Sequence, residues 1–272
     1  MSNPQAGYSL PLSVPRRLVC DLLHYARKVP SVPVQRLMRL AALVDARSQA
    51  AHRISWCTLF VKAYAQVARQ MPELRRAFLP FPYARLYEYP FSIASIAVER
   101  DFQKEHAVFF AQLYGPEDQP LVALEDHLRY FKEAPVETVS QYRLAIRVSR
   151  MPLPLRRLLW WISLNCSGEQ RARRMGTFGI SVYSGLGAES LHPLSPLTTT
   201  LNYGVIQADG NVAVRLIYDH RVLDGSTVAR ALALLEDTLL STTLDELRTA
   251  PLGDRLNVET LHERRGEELL AR

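Results

Sequence analysis

The sequence predicts an α/β protein in which strands and helices follow one another along a chain long enough for one large domain or two small ones. Two observations carry this. Runs such as residues 91–98, 108–113 and 212–218 are rich in β-branched and aromatic residues and have the length of strands. Between and around them lie segments such as 121–131, whose apolar residues recur at helical spacing. With 272 residues, 48% hydrophobic and 22% charged, the chain has the composition of a globular protein and can bury a substantial core.

Several function classes lose support at this level. No apolar run reaches the ~18 residues of a membrane span, and the first fifteen residues lack the basic start and apolar stretch of a secretory signal. Cys20, Cys57 and Cys166 are isolated and odd in number. This speaks against a disulfide framework or a zinc site and for a reducing, cytoplasmic setting. No histidine pair has metal-ligand spacing, and no Gly-x-Gly-x-x-Gly or Walker A loop occurs. The net charge of +6 and pI of about 9.3 suit an anionic partner. Nucleic acid is not expected, because the basic residues follow no recognised nucleic-acid-binding pattern.

In chain order, residues 1–9 form an extension. Ser13 caps a helix with Pro15 in its first turn and Leu18, Val19, Leu22 and Leu23 on its apolar face, ending near Lys28 before Pro30 and Pro33. Residues 32–37 read as a strand, and 37–51 as a helix with Leu37, Leu40, Ala41 and Val44 inward. Ser55 caps the next helix, in which Leu59, Phe60, Ala63, Tyr64, Val67 and Ala68 face the core, up to Met71-Pro-Glu-Leu74. Strands 91–98 and 108–113 are expected to be neighbours, with 99–106 as their connection; His106 and His127 are read as surface or rim residues. Helix 121–131 follows.

Residues 139–175 stand apart. Arg143, Arg147, Arg150, Arg156 and Arg157 surround Met151-Pro-Leu-Pro-Leu155 and Leu158-Leu-Trp-Trp-Ile-Ser-Leu164, with Arg171, Arg173 and Arg174 beyond. Either the Leu-Trp-Trp face packs on the core and the arginines are solvated, or the segment meets an acyl chain, an acidic carrier or a bilayer surface. Strands are then expected at 177–182, 197–206 and 212–218, the last two joined by a turn at 208–211, where Asp209-Gly210-Asn211 tolerates positive φ. A helix occupies 226–240 and a short turn 244–248. Residues 251–272 read as a peripheral tail, helical over 258–270 or flexible.

The chemistry-bearing stretch is Tyr218-Asp-His-Arg-Val-Leu-Asp-Gly225, at the junction of a buried strand and an apolar helix. A histidine delivered there is held firmly, as a general base requires. The bland reading is a loop histidine followed by a helix-capping Asp224. The His-x-x-x-Asp-Gly spacing resembles the signature of the chloramphenicol acetyltransferase-like acyltransferases. The longer phrase is most similar to the catalytic domain of the 2-oxoacid dehydrogenase acyltransferases, the E2 components. Two further stretches carry the resemblance: residues 10–34, with their Pro-Leu-Ser, arginines and short helix, and Gly176-Thr-Phe-Gly-Ile-Ser181 with the glycine-rich turn after it.

That resemblance, over most of residues 10–248, implies a two-layer α+β sandwich with a mixed sheet over residues 10–250, interrupted by an atypical basic and aromatic insertion at 139–175. It implies transfer of an acyl group from a thioester, on coenzyme A or a carrier protein, to a thiol or hydroxyl. His220 would be the base and Ser181 the oxyanion donor, with Ser184 in reserve. Asp224 would support the turn by pairing with Arg16 or Arg17, and Gly225 would belong to the same turn. A homotrimer with active sites between subunits is implied too. The chain lacks an Asp-Lys-Ala-like lipoylation hairpin, so a stand-alone enzyme is expected. The interval from Ser181 to His220 is shorter than in a typical E2 domain. The alternatives are a non-catalytic trimeric scaffold that kept the fold, or a lipid acyltransferase working at a membrane surface through 143–174.

Overall fold

The computed structural model describes residues 7–249 except Ser184 and Leu186; the reserve candidate Ser184, most of the extension 1–9 and the tail 251–272 lie outside the described residues. α1 (Val14–Ala26) begins as expected, with the Ser13 hydroxyl accepting from the Arg16 amide and Pro15 in the first turn. β1 (Ser31–Arg39) then pairs antiparallel, residue for residue, with β8 (Asn211–Asp219). This pairing carries the strand past Leu37, which is exposed, and delays α2 (Ala41–Gln49). Inside α2 the buried residue is Leu43; Ala41 faces solvent. The expected inward set of Leu37, Ala41 and Val44 is thus corrected, because ladder hydrogen bonds to β8 outlast the helical periodicity of the sequence.

α3 (Trp56–Gln70) is the central helix. Ser55 caps it, and Leu59, Phe60, Ala63, Tyr64, Val67 and Ala68 are all buried. Beyond it a short hairpin of β2 (Arg76–Leu79) and β3 (Arg85–Glu88), unforeseen from the sequence, forms a separate two-stranded sheet. β4 (Ile93–Phe102) and β5 (Glu105–Tyr114) pair along their whole length and turn over Gln103 and Lys104, both at positive φ. The expected connection 99–106 is therefore almost entirely strand, and exposed His106 stands in β5, 2.8 Å from Asp101. His127, expected at the surface, is buried in α4 (Leu121–Glu133).

Residues 139–175, expected as an insertion, fold as α5 (Ser140–Arg150), α6 (Leu153–Asn165) and α7 (Gly168–Met175). β6 (Phe178–Ile180) and β7 (Thr199–Tyr203) are shorter than expected. α8 (Gly225–Leu240) and α9 (Thr242–Thr249) complete the described chain. The main sheet runs β1-β8-β7-β6-β4-β5, parallel where β6 meets β4 and β7 and antiparallel elsewhere. It is the mixed sheet the resemblance implied.

α3, with α4 and α8, covers one face of this sheet; the Tyr64 hydroxyl reaches Thr199 of β7 at 2.8 Å. On the other face α1 and α5 pack against β5, and residues of α6 join them in lining a cleft. Two glycines are needed for this architecture. Gly210, at φ +83°, lets the β7–β8 turn approach the α2 backbone, where a Cβ would come within 2.3 Å of the Ala41 nitrogen. Gly176, at φ +84°, leads into β6 against Ser95 and Ile93.

Of the insertion's arginines, Arg156 and Arg157 are not solvated. Their Nε atoms each stand 2.7 Å from the carboxylate of Asp21, which is fully buried in α1. Arg171 is also buried, donating to the carbonyls of Phe78, Leu164 and Pro196. Trp160 packs inward while Trp161 stays partly exposed, so the Leu-Trp-Trp face is split between core and solvent.

Candidate active site

The strand β8 ends in a turn whose geometry follows from its Asp-His-Arg sequence. Asp219 is buried, and its amide still belongs to the sheet through the Thr198 carbonyl at 2.8 Å. Its carboxylate accepts from the Arg221 amide at 3.0 Å and from the Arg221 guanidinium at 2.9 and 2.7 Å. Its carbonyl accepts from Val222 and Leu223, and the His220 amide donates to Pro30 at 3.1 Å. Arg221 lies over the Phe78 ring, 4.5 Å from its centroid. Both neighbours of His220 are thus tied inward by charge-assisted bonds, and the imidazole projects with half its side-chain surface exposed.

Asp224 follows at the N-cap position of α8 but makes no side-chain cap bond. Its carboxylate faces the His220 Nδ1 at 3.8 Å and is largely exposed. Asp224 thus gives α8 no side-chain cap, and at 3.8 Å its carboxylate is near the imidazole without a hydrogen bond to it. Arg16 is exposed in α1, and Arg17 donates to the Leu12 carbonyl. Among the described residues neither pairs with Asp224, so the expected arginine support is not formed within the chain. A Cβ on Gly225 would meet only the Tyr218 hydroxyl at 3.5 Å, so packing within the chain does not demand a glycine there.

Ser181 sits one residue beyond β6. Its amide donates to Leu201 at 3.2 Å and its carbonyl accepts from the Asn202 side chain. Strand alternation puts it on the same face as Gly179, and that face lines the cleft. Gly179 is level with Ser95 on one side and Thr200 on the other, so a row of small residues crosses β4, β6 and β7. Thr200 is buried, and its hydroxyl has no hydrogen-bond partner. Nearby, Arg215 donates to Glu189 at 2.9 Å, a bond that holds the Glu189 carboxyl below its ordinary range.

The sheet register sets the distance between the two main candidates. Through β6, β7 and β8, Ile180 pairs with Leu201 and Leu201 with Leu216, so Ser181 is level with Arg215. His220 lies five positions further along and two strands across. At ~3.3 Å per residue and ~4.8 Å per strand, the two residues are roughly 20 Å apart. One chain does not bring them together.

Ser95, Thr200 and Asn202 also belong to this region; no local motif marks them, and only the pairing of β4, β6 and β7 brings them beside Ser181. Among the described residues no group of three histidine, cysteine, aspartate or glutamate side chains could hold a metal ion.

Comparison with known proteins places this geometry in context. No protein-family model and no curated protein sequence matches the chain. Solved structures do. A probable dihydrolipoamide acetyltransferase from Listeria monocytogenes superposes with a TM-score of 0.61 at 13% identity, over 92% of this chain and 99% of that one. The dihydrolipoamide acetyltransferase of Azotobacter vinelandii, studied for a serine, a histidine and an asparagine in its catalytic mechanism, gives 0.63 at 18% identity over 88% and 93%. A truncated catalytic core of a 2-oxoacid dehydrogenase multienzyme complex from Thermoplasma acidophilum gives 0.62 at 14% identity over 86% and 99%. At these identities the likeness establishes the fold, which is that of the E2 catalytic domains.

Proposed function

We propose that the protein is an acyltransferase that moves an acyl group from a thioester donor to a thiol or hydroxyl acceptor. The observation that carries this is the His220 turn: a half-exposed imidazole between two anchored neighbours, faced by a carboxylate four residues on. In the Azotobacter enzyme the histidine and asparagine studied are likewise four positions apart. His220 takes the proton from the acceptor through an imidazole nitrogen. The acceptor's sulfur or oxygen then bonds to the thioester carbonyl carbon. The resulting oxyanion accepts a hydrogen bond from Ser181; a donor of this kind is worth on the order of 10²–10³ in rate. Collapse breaks the carbon–sulfur bond, and the departing thiolate recovers the proton from the imidazolium. Acyl-CoA or an acyl carrier protein would be the donor. The roughly 20 Å between Ser181 and His220 supports sites built between chains, as in a homotrimer.

The test is turnover of a panel of acyl-CoAs with several thiol and alcohol acceptors, followed by thiol release. His220→Ala should lower the rate by about 10²–10⁴. Absence of turnover with every donor would leave a non-catalytic scaffold of the same fold, and a rate unchanged in the variant would remove His220 as the base.

Action at a membrane surface has one observation in its favour. α6 exposes Leu153, Leu155, Leu158 and Trp161, and Arg143, Arg147 and Arg150 are exposed on the adjacent α5.

A further inference from the structure

The cleft between the sheet and α1, α5 and α6 has a volume of about 760 Å³, within the ~300–1,000 Å³ usual for small-molecule sites. Its walls include Leu18 and Leu22 from α1, Phe110 from β5, Leu144 and Val148 from α5, and Trp160 from α6. Leu23 and Leu144 are large apolar side chains left exposed beside it. The sheet floor is not uniformly apolar. At the β6 side it carries Ser181 and the buried Thr200 hydroxyl, which has no partner in the protein. An unsatisfied buried hydroxyl costs free energy unless something bonds to it. The lining is mainly apolar but also includes Gln112, Gln141, Arg147, Arg173 and Arg174; the buried, unpartnered Thr200 hydroxyl beside Ser181 marks the β6 side as the place for a ligand's polar end.

We propose that this cleft binds a linear aliphatic chain of medium length whose polar end lies at Ser181 and Thr200. This rests on the acyl-transfer reading for its chemistry, and makes the substrate a fatty rather than an acetyl compound. The insertion is what creates the site: α5 and α6 supply one wall, and the Asp21 ion pairs with Arg156 and Arg157 hold α6 against α1, which supplies the other. The row Ser95, Gly179 and Thr200 keeps the floor low enough for a chain to lie on it. The same chemistry is offered by the acyl tail of a thioester and by the alkyl tail of an acceptor.

Binding to the full chain, measured by calorimetry, separates these. The donor arm compares decanoyl-CoA with acetyl-CoA; the acceptor arm compares 1-octanethiol with ethanethiol. Each methylene buried in the cleft is worth roughly fourfold in affinity. The longer member of at least one pair should bind ten times more tightly or better, and the arm in which it does so identifies the source. Ala97→Phe on the floor and Ala145→Phe on the α5 wall, neither in the proposed catalytic set, should each erase that preference while leaving acetyl-CoA affinity unchanged. Equal affinity for long and short members in both arms overturns the proposal, as does a preference that survives both substitutions. Chain-length binding without turnover keeps this inference and removes the acyl-transfer reading; His220-dependent turnover without any length preference does the reverse.

Discussion

Asp21 shows how much one buried carboxylate can organise. It is fully buried, faces two guanidiniums at 2.7 Å, and joins α1 to α6 across more than a hundred residues. Removing one partner of such a set strands the others' charge, a cost of about 3–5 kcal/mol. Asp21→Ala should therefore lower the urea midpoint sharply. Replacing Asp21, Arg156 and Arg157 together by apolar residues of similar volume should restore most of it; a triple variant as unstable as the single one would show that the charges themselves are needed. At this scale His220 and Ser181 stand out as candidates because their phrases are contiguous in sequence. The partners of Asp21 and the bare hydroxyl of Thr200 were not, because nothing local marks which distant groups a buried polar atom will meet.

Among the elements, legibility followed the strength of the periodic signal. α1, α3 and α4 have capping or proline signals and uninterrupted apolar faces, and they fold nearly as read. β1 overran its expected end because its partner β8 is long and regular. The β4–β5 turn hid behind Gln103 and Lys104, which lack the Asn-Gly signature of tight hairpins. The sequence of α6 predicts a single Leu-Trp-Trp face, whereas buried pairing takes its arginines and leaves leucines outside. Arg156 and Arg157 are thus the wrong residues for a membrane test. Leu155→Asp with Leu158→Asp changes exposed positions only, and such surface changes usually leave stability within ~0.5 kcal/mol. If the protein works at a bilayer, this pair should abolish co-sedimentation with anionic phospholipid vesicles; no sedimentation of the wild type at low salt ends that version of the function.

On the scale of the whole molecule, the mixed sheet is what the sequence resemblance led one to expect, while the spacing of its functional residues required the register. The register yields a direct test of sites shared between chains. Ser181→Ala and His220→Ala should each be nearly inactive alone. Denatured and refolded together in equal amounts, they should recover about a quarter of wild-type activity, since random assembly pairs an intact histidine with an intact neighbouring serine in that proportion. No recovery, with mixed oligomers formed, would overturn a site that joins Ser181 of one chain to His220 of another. No described helix is long and apolar enough to cross a membrane.

The distance between Ser181 and His220 also changes what damage means. In the proposed trimer every chain lends its serine to one site and its histidine to another. A chain lacking both residues then silences two sites out of three, although it is only one subunit of the assembly. Loss of function would spread beyond the defective copy, and a minority of faulty chains would act as a poison on their sound neighbours.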